Sequence, residues 1–260
     1  MNRISLKFQE YQKLKKAVIV PYISPEFPVK GSTVPLILAL ERSGASMIEV
    51  GIPFSDPLAD GPTIQHSSEI AIKHGVTLTK VLELVKEART HTSIPIILMG
   101  YVNPIMSYGF DRFFEAAAAA GVDGLIVPDL PPEESDDFRT QCKKHGLSTI
   151  FLIAPTSPDK RIRYIDSLST DFSYCVSVTG VTGARTSFGG NFDDFLGRVK
   201  KNTSKPFVVG FGIKSKEQVD RIASTANGVV VGSALLQAME GKTTVEDAAA
   251  AASKFLSSLM

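Results

Sequence analysis

Histidine, cysteine and long apolar runs are all scarce in this sequence, and each scarcity removes a class of function. There are only four histidines, and none falls in a segment expected to be a strand. The usual metal ligands are therefore missing from strand ends, and no metal site is expected. His74 and His145 each precede a glycine that closes a helical segment, where the helix dipole accounts for them. The two cysteines, Cys142 and Cys175, lie in a helical stretch and a buried strand. They read as small core hydrophobes in a reducing compartment rather than a disulfide. No apolar run exceeds strand length, so nothing is expected to span a bilayer. The formal net charge is +1 without a basic run, which gives no reason to expect nucleic acid or a membrane as partner. Residues 1–16 are basic and amphipathic and lack the apolar core of a signal peptide, so they read as a first helix of a cytoplasmic chain. Lysine is absent from every expected strand, which argues against a Schiff-base aldolase. A G-x-S-x-G serine elbow is absent as well.

What the chain does contain is a regular alternation. Apolar residues make up 43% and charged residues 21% of 260 positions, enough for a sizeable core. Eight short apolar segments read as strands: 17–22, 47–51, 95–99, 124–127, 148–154, 173–178, 206–211 and 228–231. Helical segments separate them, including 32–44, 63–74, 79–91, 109–120, 132–145 and 245–258, and no linker interrupts the series. The pattern predicts a single (β/α)8 TIM barrel domain over residues 1–260, with an extra N-terminal helix. An open doubly wound sheet is the alternative. In a barrel the functional residues lie at the carboxyl ends of the strands.

One strand breaks its apolar pattern. Glu49 sits within 47–51, where a carboxylate must be paired, protonated or functional. The following loop is rich in Pro, Ser, Asp and Gly and carries Asp56 and Asp60. A buried acid with a second acid eleven positions on suggests an acid/base pair around a cleft. A buried ion pair for Glu49, and ordinary turn chemistry for Asp60-Gly61-Pro62, are the bland alternatives. A second signal lies late in the chain. Gly212 follows the seventh strand, Gly232-Ser233 opens a short helix after the eighth, and Gly183 lies in the long sixth loop. Glycines at these loops and a helix N-terminus suit a phosphate. Gly241-Lys242-Thr243 lacks the upstream glycine of a P-loop. The residues thus leave carboxylate acid/base chemistry on a phosphorylated substrate that supplies its own electron sink. Tyr22, Ile153 and Phe211, near strand ends, are candidates either for an aromatic pocket or for barrel core.

The stretch Ile48-Glu-Val-Gly-Ile-Pro-Phe-Ser-Asp-Pro-Leu-Ala-Asp-Gly-Pro62 resembles the signature of the tryptophan synthase α subunit family. Met99-Gly-Tyr-Val-Asn-Pro104, Val127-Pro-Asp-Leu-Pro131, Ser177-Val-Thr-Gly-Val-Thr-Gly-Ala-Arg185, Gly210-Phe-Gly-Ile213 and Gly232-Ser233 extend the likeness in order along the chain. The resemblance implies a lyase of tryptophan biosynthesis that cleaves indole-3-glycerol phosphate to indole and D-glyceraldehyde 3-phosphate. It assigns catalysis to Glu49 and Asp60, and phosphate binding to Gly183, Gly212, Gly232 and Ser233. Tyr22, Tyr101, Asp129, Tyr174, Thr182 and Phe211 would surround the substrate or orient Asp60. It further implies no cofactor in this chain and a pyridoxal-phosphate β subunit as partner in an α2β2 heterotetramer. Asp56, Pro57, Asn103, Pro104, Pro131 and Pro132 would lie on the docking face. The complete absence of tryptophan suits a protein made when that amino acid is short.

Two departures from the family pattern stand out. Tyr22-Ile-Ser-Pro-Glu-Phe-Pro28 replaces a segment that usually begins with Phe and continues Thr-Ala-Gly-Asp-Pro, so a hydroxyl enters the expected indole wall. Ser46 replaces a frequent Asp and is expected at the surface. The rivals are another phosphate-binding barrel, such as an isomerase or indole-glycerol-phosphate synthase, and a barrel kept mainly as an allosteric subunit. The missing strand lysines count against the synthase, and the intact Glu49/Asp60 pair counts against the purely allosteric role.

Overall fold

A computed structural model describes residues 2–176, 192–210 and 212–260. The chain opens with α1 (Arg3–Leu14), β1 (Val18–Ile23), α2 (Thr33–Arg42) and β2 (Ile48–Gly51). It continues with α3 (Pro62–Lys73), α4 (Leu78–Arg89), β3 (Ile96–Met99), α5 (Val102–Tyr108), α6 (Phe110–Ala120) and β4 (Gly124–Ile126). A 3-10 turn at Pro132–Glu134 precedes α7 (Asp136–His145), β5 (Ser148–Ile150), β6 (Leu152–Ile153), α8 (Asp159–Leu168) and β7 (Ser173–Val176). The last elements are α9 (Phe192–Asn202), β8 (Phe207–Gly210), α10 (Lys216–Ala223), β9 (Gly228–Val231), α11 (Ser233–Met239) and α12 (Val245–Ser257).

All strand pairings among the described residues are parallel, in the order β5-β4-β3-β2-β1-β9-β8-β7-β6. The two ends of that row, β5 and β6, are separated only by Phe151, so they form one stave. Its first half pairs with β4 and its second with β7. The ring is therefore an eight-stave barrel, as the alternation predicts. Tyr174 N–H donates to the Phe151 carbonyl at 3.1 Å, which carries the seam across the break.

Strand alternation sorts the side chains into two cores. Val18, Val20, Met47, Ile97, Ile126, Ile150, Tyr174, Val208 and Val230 pack inside the ring, with Ile4 and Phe8 of α1 plugging its floor. The alternate residues, such as Ile19, Ile23, Ile48, Val50, Val209 and Val229, join the larger core beneath the helices. Ile153 belongs to this outer set and so lines no central pocket. Leu152 packs on the inner side instead. A deep polar anchor ties the plug to the staves. Asp123, 4% exposed, accepts from Arg3 Nη1 at 2.9 Å, Arg89 Nη2 at 2.5 Å and the Ile96 N–H at 2.8 Å.

Local chemistry shifts several expected boundaries. Residues 102–108, between the expected strand 95–99 and the expected helix 109–120, form α5, whose first N–H is capped by Asp129 of a different loop. Segment 132–145 is not one helix: the Ser135 hydroxyl turns back to the Pro132 carbonyl at 2.7 Å and divides it. Ser32 precedes α2 without a side-chain cap bond and donates instead to the Phe27 carbonyl at 3.1 Å. Ser46 is buried rather than at the surface, where its hydroxyl accepts from the Ile19 N–H at 3.0 Å. Removing the acid at the centre of the floor network leaves two guanidinium groups short of a partner. Asp123→Ala is expected to lower unfolding free energy by about 3–5 kcal/mol in urea titrations; a loss below about 1 kcal/mol would contradict this account of the floor.

Candidate active site

Glu49 lies on the same strand face as Met47, two residues before it, and Met47 packs inside the ring. Period-two alternation therefore aims the Glu49 carboxyl into the barrel's upper end, where it is 1% exposed. Among the described residues no cation pairs with it, and none supplies the buried ion pair read as an alternative. Burial, reinforced by the negative charge of Asp60, pushes its pKa up to about 8. Asp60 sits at the end of the loop after β2, also buried. Its pKa rises to about 6 through burial, opposed by a hydrogen bond from the Tyr101 hydroxyl. Two acids that repel one another thus stand at one end of the ring with different proton affinities, one held neutral and one held closer to ionised near pH 7.

Tyr101 and Asp129 build the support for Asp60. The Tyr101 hydroxyl accepts from the Ala59 N–H at 3.0 Å while hydrogen-bonding the Asp60 carboxyl. The Tyr101 ring stacks on Phe54 at 5.5 Å between centroids. Asp129 accepts from the Val102 N–H at 3.0 and 3.2 Å, which fixes the residue after Tyr101. Gln65 Nε2 holds the Asp60 carbonyl at 2.9 Å.

Two tyrosines bracket Glu49. Tyr22 on β1 is in register with it, and Tyr174 on β7 feels its charge more than that of any other acid. Each ring lies across a glycine of the next stave. A Cβ on Gly51 would fall 2.3 Å from the Tyr22 hydroxyl, and one on Gly210 would fall 1.9 Å from that of Tyr174. Glycine is required at both places by space rather than by backbone conformation. Burial holds both phenols well above the usual tyrosine range, so they stay protonated.

Gly232 and Ser233 lie together at the start of α11, partly exposed and without a side-chain cap bond. A Cβ on Gly232 would meet Tyr22 Cβ only at 3.5 Å, so this glycine leaves its backbone approachable. Gly212 is exposed with φ of +58°, a left-handed conformation that favours glycine. Gly183, Thr182 and Phe211 lie outside the described residues. On the surface, Asp56, Asn103 and Pro131 are exposed, and Pro57 and Pro104 are half-buried. Pro132 is buried, and with Asp129, Leu130 and Pro131 it lines a cavity at this corner. Leu58, 87% exposed, and Met106 were not anticipated on this side, yet both are large apolar residues in the open.

Sequence reasoning also passed over Ile52, Phe54, Ser68 and Met99, which line a cleft with Tyr22 and Asp60. Met99 follows inward-facing Ile97 by two residues, so alternation alone could have found it. The Ser24–Pro28 departure has a consistent structure. Glu26, buried with φ of +58°, accepts from the Thr33 hydroxyl at 2.7 Å and from the Gly31 N–H. Its own N–H donates to Thr33 Oγ1 at 2.7 Å, and its carbonyl lies 2.8 Å from His74 Nδ1.

A barrel with a buried acid pair at one end, and with glycines approachable at the starts of the last helices, has the layout of a barrel enzyme. The comparisons narrow the class. Residues 8–259 match the family model described as tryptophan synthase alpha chain, and the chain belongs to that family. It is 49% identical to the tryptophan synthase alpha chain of Chlorobium phaeobacteroides, covering 99% of this chain and 98% of that one. It is 46% identical to that of Prosthecochloris aestuarii over the same shares. The crystal structure of the subunit alpha from Legionella pneumophila superposes with a TM-score of 0.88 at 36% identity, covering 100% of this chain and 97% of that one. The Pyrococcus furiosus tryptophan synthase complex gives 0.86 at 40%, covering 93% and 97%. The chain is thus an enzyme subunit of tryptophan synthase, and it acts in tryptophan biosynthesis.

Both carboxyls are shifted upward, so the native state binds their protons more tightly than the unfolded chain does. Their stabilising contribution is complete below the ordinary values of 4.5 and 3.8, and is lost as pH rises through about 8 for Glu49 and about 6 for Asp60. Glu49→Gln is therefore expected to gain on the parent protein by a few kcal/mol between about pH 5 and about pH 9. Calorimetric Tm differences across that range measure it; a gap that does not widen would contradict the shifted Glu49.

Proposed function

We propose that this chain, acting as one domain over residues 1–260, cleaves indole-3-glycerol phosphate into indole and D-glyceraldehyde 3-phosphate, with Glu49 and Asp60 as its catalytic pair. The observation that carries the reading is Glu49, an acid 1% exposed inside the ring with no cation against it among the described residues, where burial and the charge of Asp60 push its pKa up to about 8. Such a group is protonated near neutral pH, yet can ionise without a large penalty. It donates its proton to indole C3, which leaves an electron-poor ring. Asp60, nearer to ionised, accepts the indole N–H and steadies the positive charge that develops there. The electrons of the breaking C–C bond then return to the ring. The glycerol hydroxyl on the departing carbon gives its proton to the Glu49 carboxylate as that carbon becomes an aldehyde. Tyr101 and Asp129 hold Asp60 in place for this, and Tyr22 and Tyr174 flank the reacting atoms. Gly212, Gly232 and Ser233, with Gly183, present backbone N–H groups to the phosphate. Thr182 and Phe211 complete the substrate pocket.

The chain works with a β subunit in an α2β2 assembly in the cytoplasm, and pyridoxal phosphate belongs to that partner. Asp56, Pro57, Asn103, Pro104 and Pro131 form the docking face, with Leu58 and Met106 supplying apolar area to bury. Among the described residues no helix is long and apolar enough to cross a membrane, which suits this placement.

Supplying indole-3-glycerol phosphate and measuring free indole tests the reaction. Glu49→Gln should lower kcat by about 10²–10⁴, and Asp60→Asn by about 10²–10³. Activity that survives Glu49→Gln would remove the catalytic assignment. The rate of the parent protein should follow a bell against pH with apparent limits near about 6 and about 8, the values belonging to the coupled pair. A rate that rises steadily through pH 9 would contradict a protonated Glu49.

A further inference from the structure

Beside Asp60 lies a niche of about 10 Å³, lined by Tyr22, Ile52, Asp60, Ser68 and Tyr101 among others. That space is the size of one water molecule, or of one small polar group carried on a ring. Most polar atoms around it are already committed. Tyr101 is spent on Ala59 and Asp60. Ser68 Oγ accepts from the Phe54 N–H at 3.1 Å and lies 3.4 Å from its carbonyl.

Tyr22 differs from these. Its ring is pinned against Gly51, so its hydroxyl cannot swing away. The Ser24 hydroxyl reaches it only at a weak 3.5 Å. Ser24 in turn sits 2.6 Å from Ser67 Oγ, which donates to the Ile64 carbonyl at 2.8 Å. With Ser67 turned to Ile64, Ser24 satisfies itself on Ser67, and the Tyr22 proton has no strong internal acceptor. Its neighbours across the niche include Asp60, an acceptor. A phenol donor and a carboxylate acceptor thus face one water-sized space.

We propose that Tyr22 is a specificity-determining residue that fits this cleft for aromatic substrates bearing one small polar substituent, a hydroxyl or an amino group, on the six-membered ring. The inference rests on the proposed indole-glycerol-phosphate reading, in which Asp60 accepts the ring N–H. A substituent within reach of both Asp60 and Tyr22 is then on carbon 7, next to the ring nitrogen. A hydroxyl there donates to Asp60 and accepts from Tyr22, filling the niche with both hydrogen bonds satisfied. Sites built to hydrogen-bond a substituent discriminate strongly for it, because their polar groups are otherwise left unpaired.

The test compares kcat/KM for the 4-, 5-, 6- and 7-hydroxy derivatives with that for unsubstituted indole-3-glycerol phosphate, in the full chain and in Tyr22→Phe and Ser24→Ala. Each ratio is taken within one variant, so general losses of activity or folding cancel. Tyr22→Phe should lower the 7-hydroxy ratio about 5- to 10-fold, the worth of one hydrogen bond. Ser24→Ala, which removes the competing hydroxyl, should leave that ratio the same or higher. A 7-hydroxy ratio unmoved by Tyr22→Phe would overturn the proposal. Failure of the parent protein to release any indole would instead overturn the reading on which it rests, so the two failures are distinguishable.

Discussion

The free energy of placing a carboxyl group inside a ring of strands governs this molecule. Glu49 has apolar interior below it, and its nearest charged neighbour of consequence is another acid, Asp60. Burial and like charge act in the same direction, and both favour the neutral form. A side chain that would be an anion at the surface keeps its proton here near neutral pH. Among the described residues no cation sits against it, although Asp123 at the opposite end receives two. The contrast is informative. At the floor, a buried acid is matched by Arg3 and Arg89 and serves cohesion; at the mouth, a buried acid is left unmatched and remains free to exchange a proton.

The surroundings of Glu49 are arranged so that its partner acid behaves differently. Asp60 receives the Tyr101 hydroxyl, and Tyr101 is steadied through Phe54, Ala59 and the Asp129 cap on Val102. Among the described residues one acid is thereby tied to donors and the other is not, which separates their proton affinities. The tyrosine–glycine crossings on β1/β2 and β7/β8 set the width of the opening. They place neutral hydroxyls around the acids, where ionisable groups of either sign would disturb the pair.

Much of this was legible in the residues. Eight apolar segments separated by helical periods announce a closed ring, and Glu49 within a strand announces its own cost. Turn glycines after the last staves point to an anion site for the same local reason. What escaped was non-local. The helix at Val102–Tyr108 depends on Asp129, which is supplied by another loop, whereas Asn103-Pro104 reads locally as a turn. The hydroxyl row Tyr22–Ser24–Ser67 joins β1 to a helix after β2, and no spacing rule links those positions. Ser46 looked superficial because serine usually is, yet its bond to the Ile19 backbone places it between two staves. Pro132 is buried where a loop corner suggests exposure, and Ile153 takes the core position rather than the pocket position that the sequence left open beside it.

The most direct measurement is infrared difference spectroscopy of the protonated-carboxyl stretch, comparing the parent chain with Glu49→Gln through a pH titration. The account predicts a protonated carboxyl band that survives at neutral pH, is absent from the variant, and disappears with a midpoint near about 8. A Glu49 band already lost at the ordinary carboxylate pH would mean the group is ionised at work. The acid/base pair described here would then have no donor.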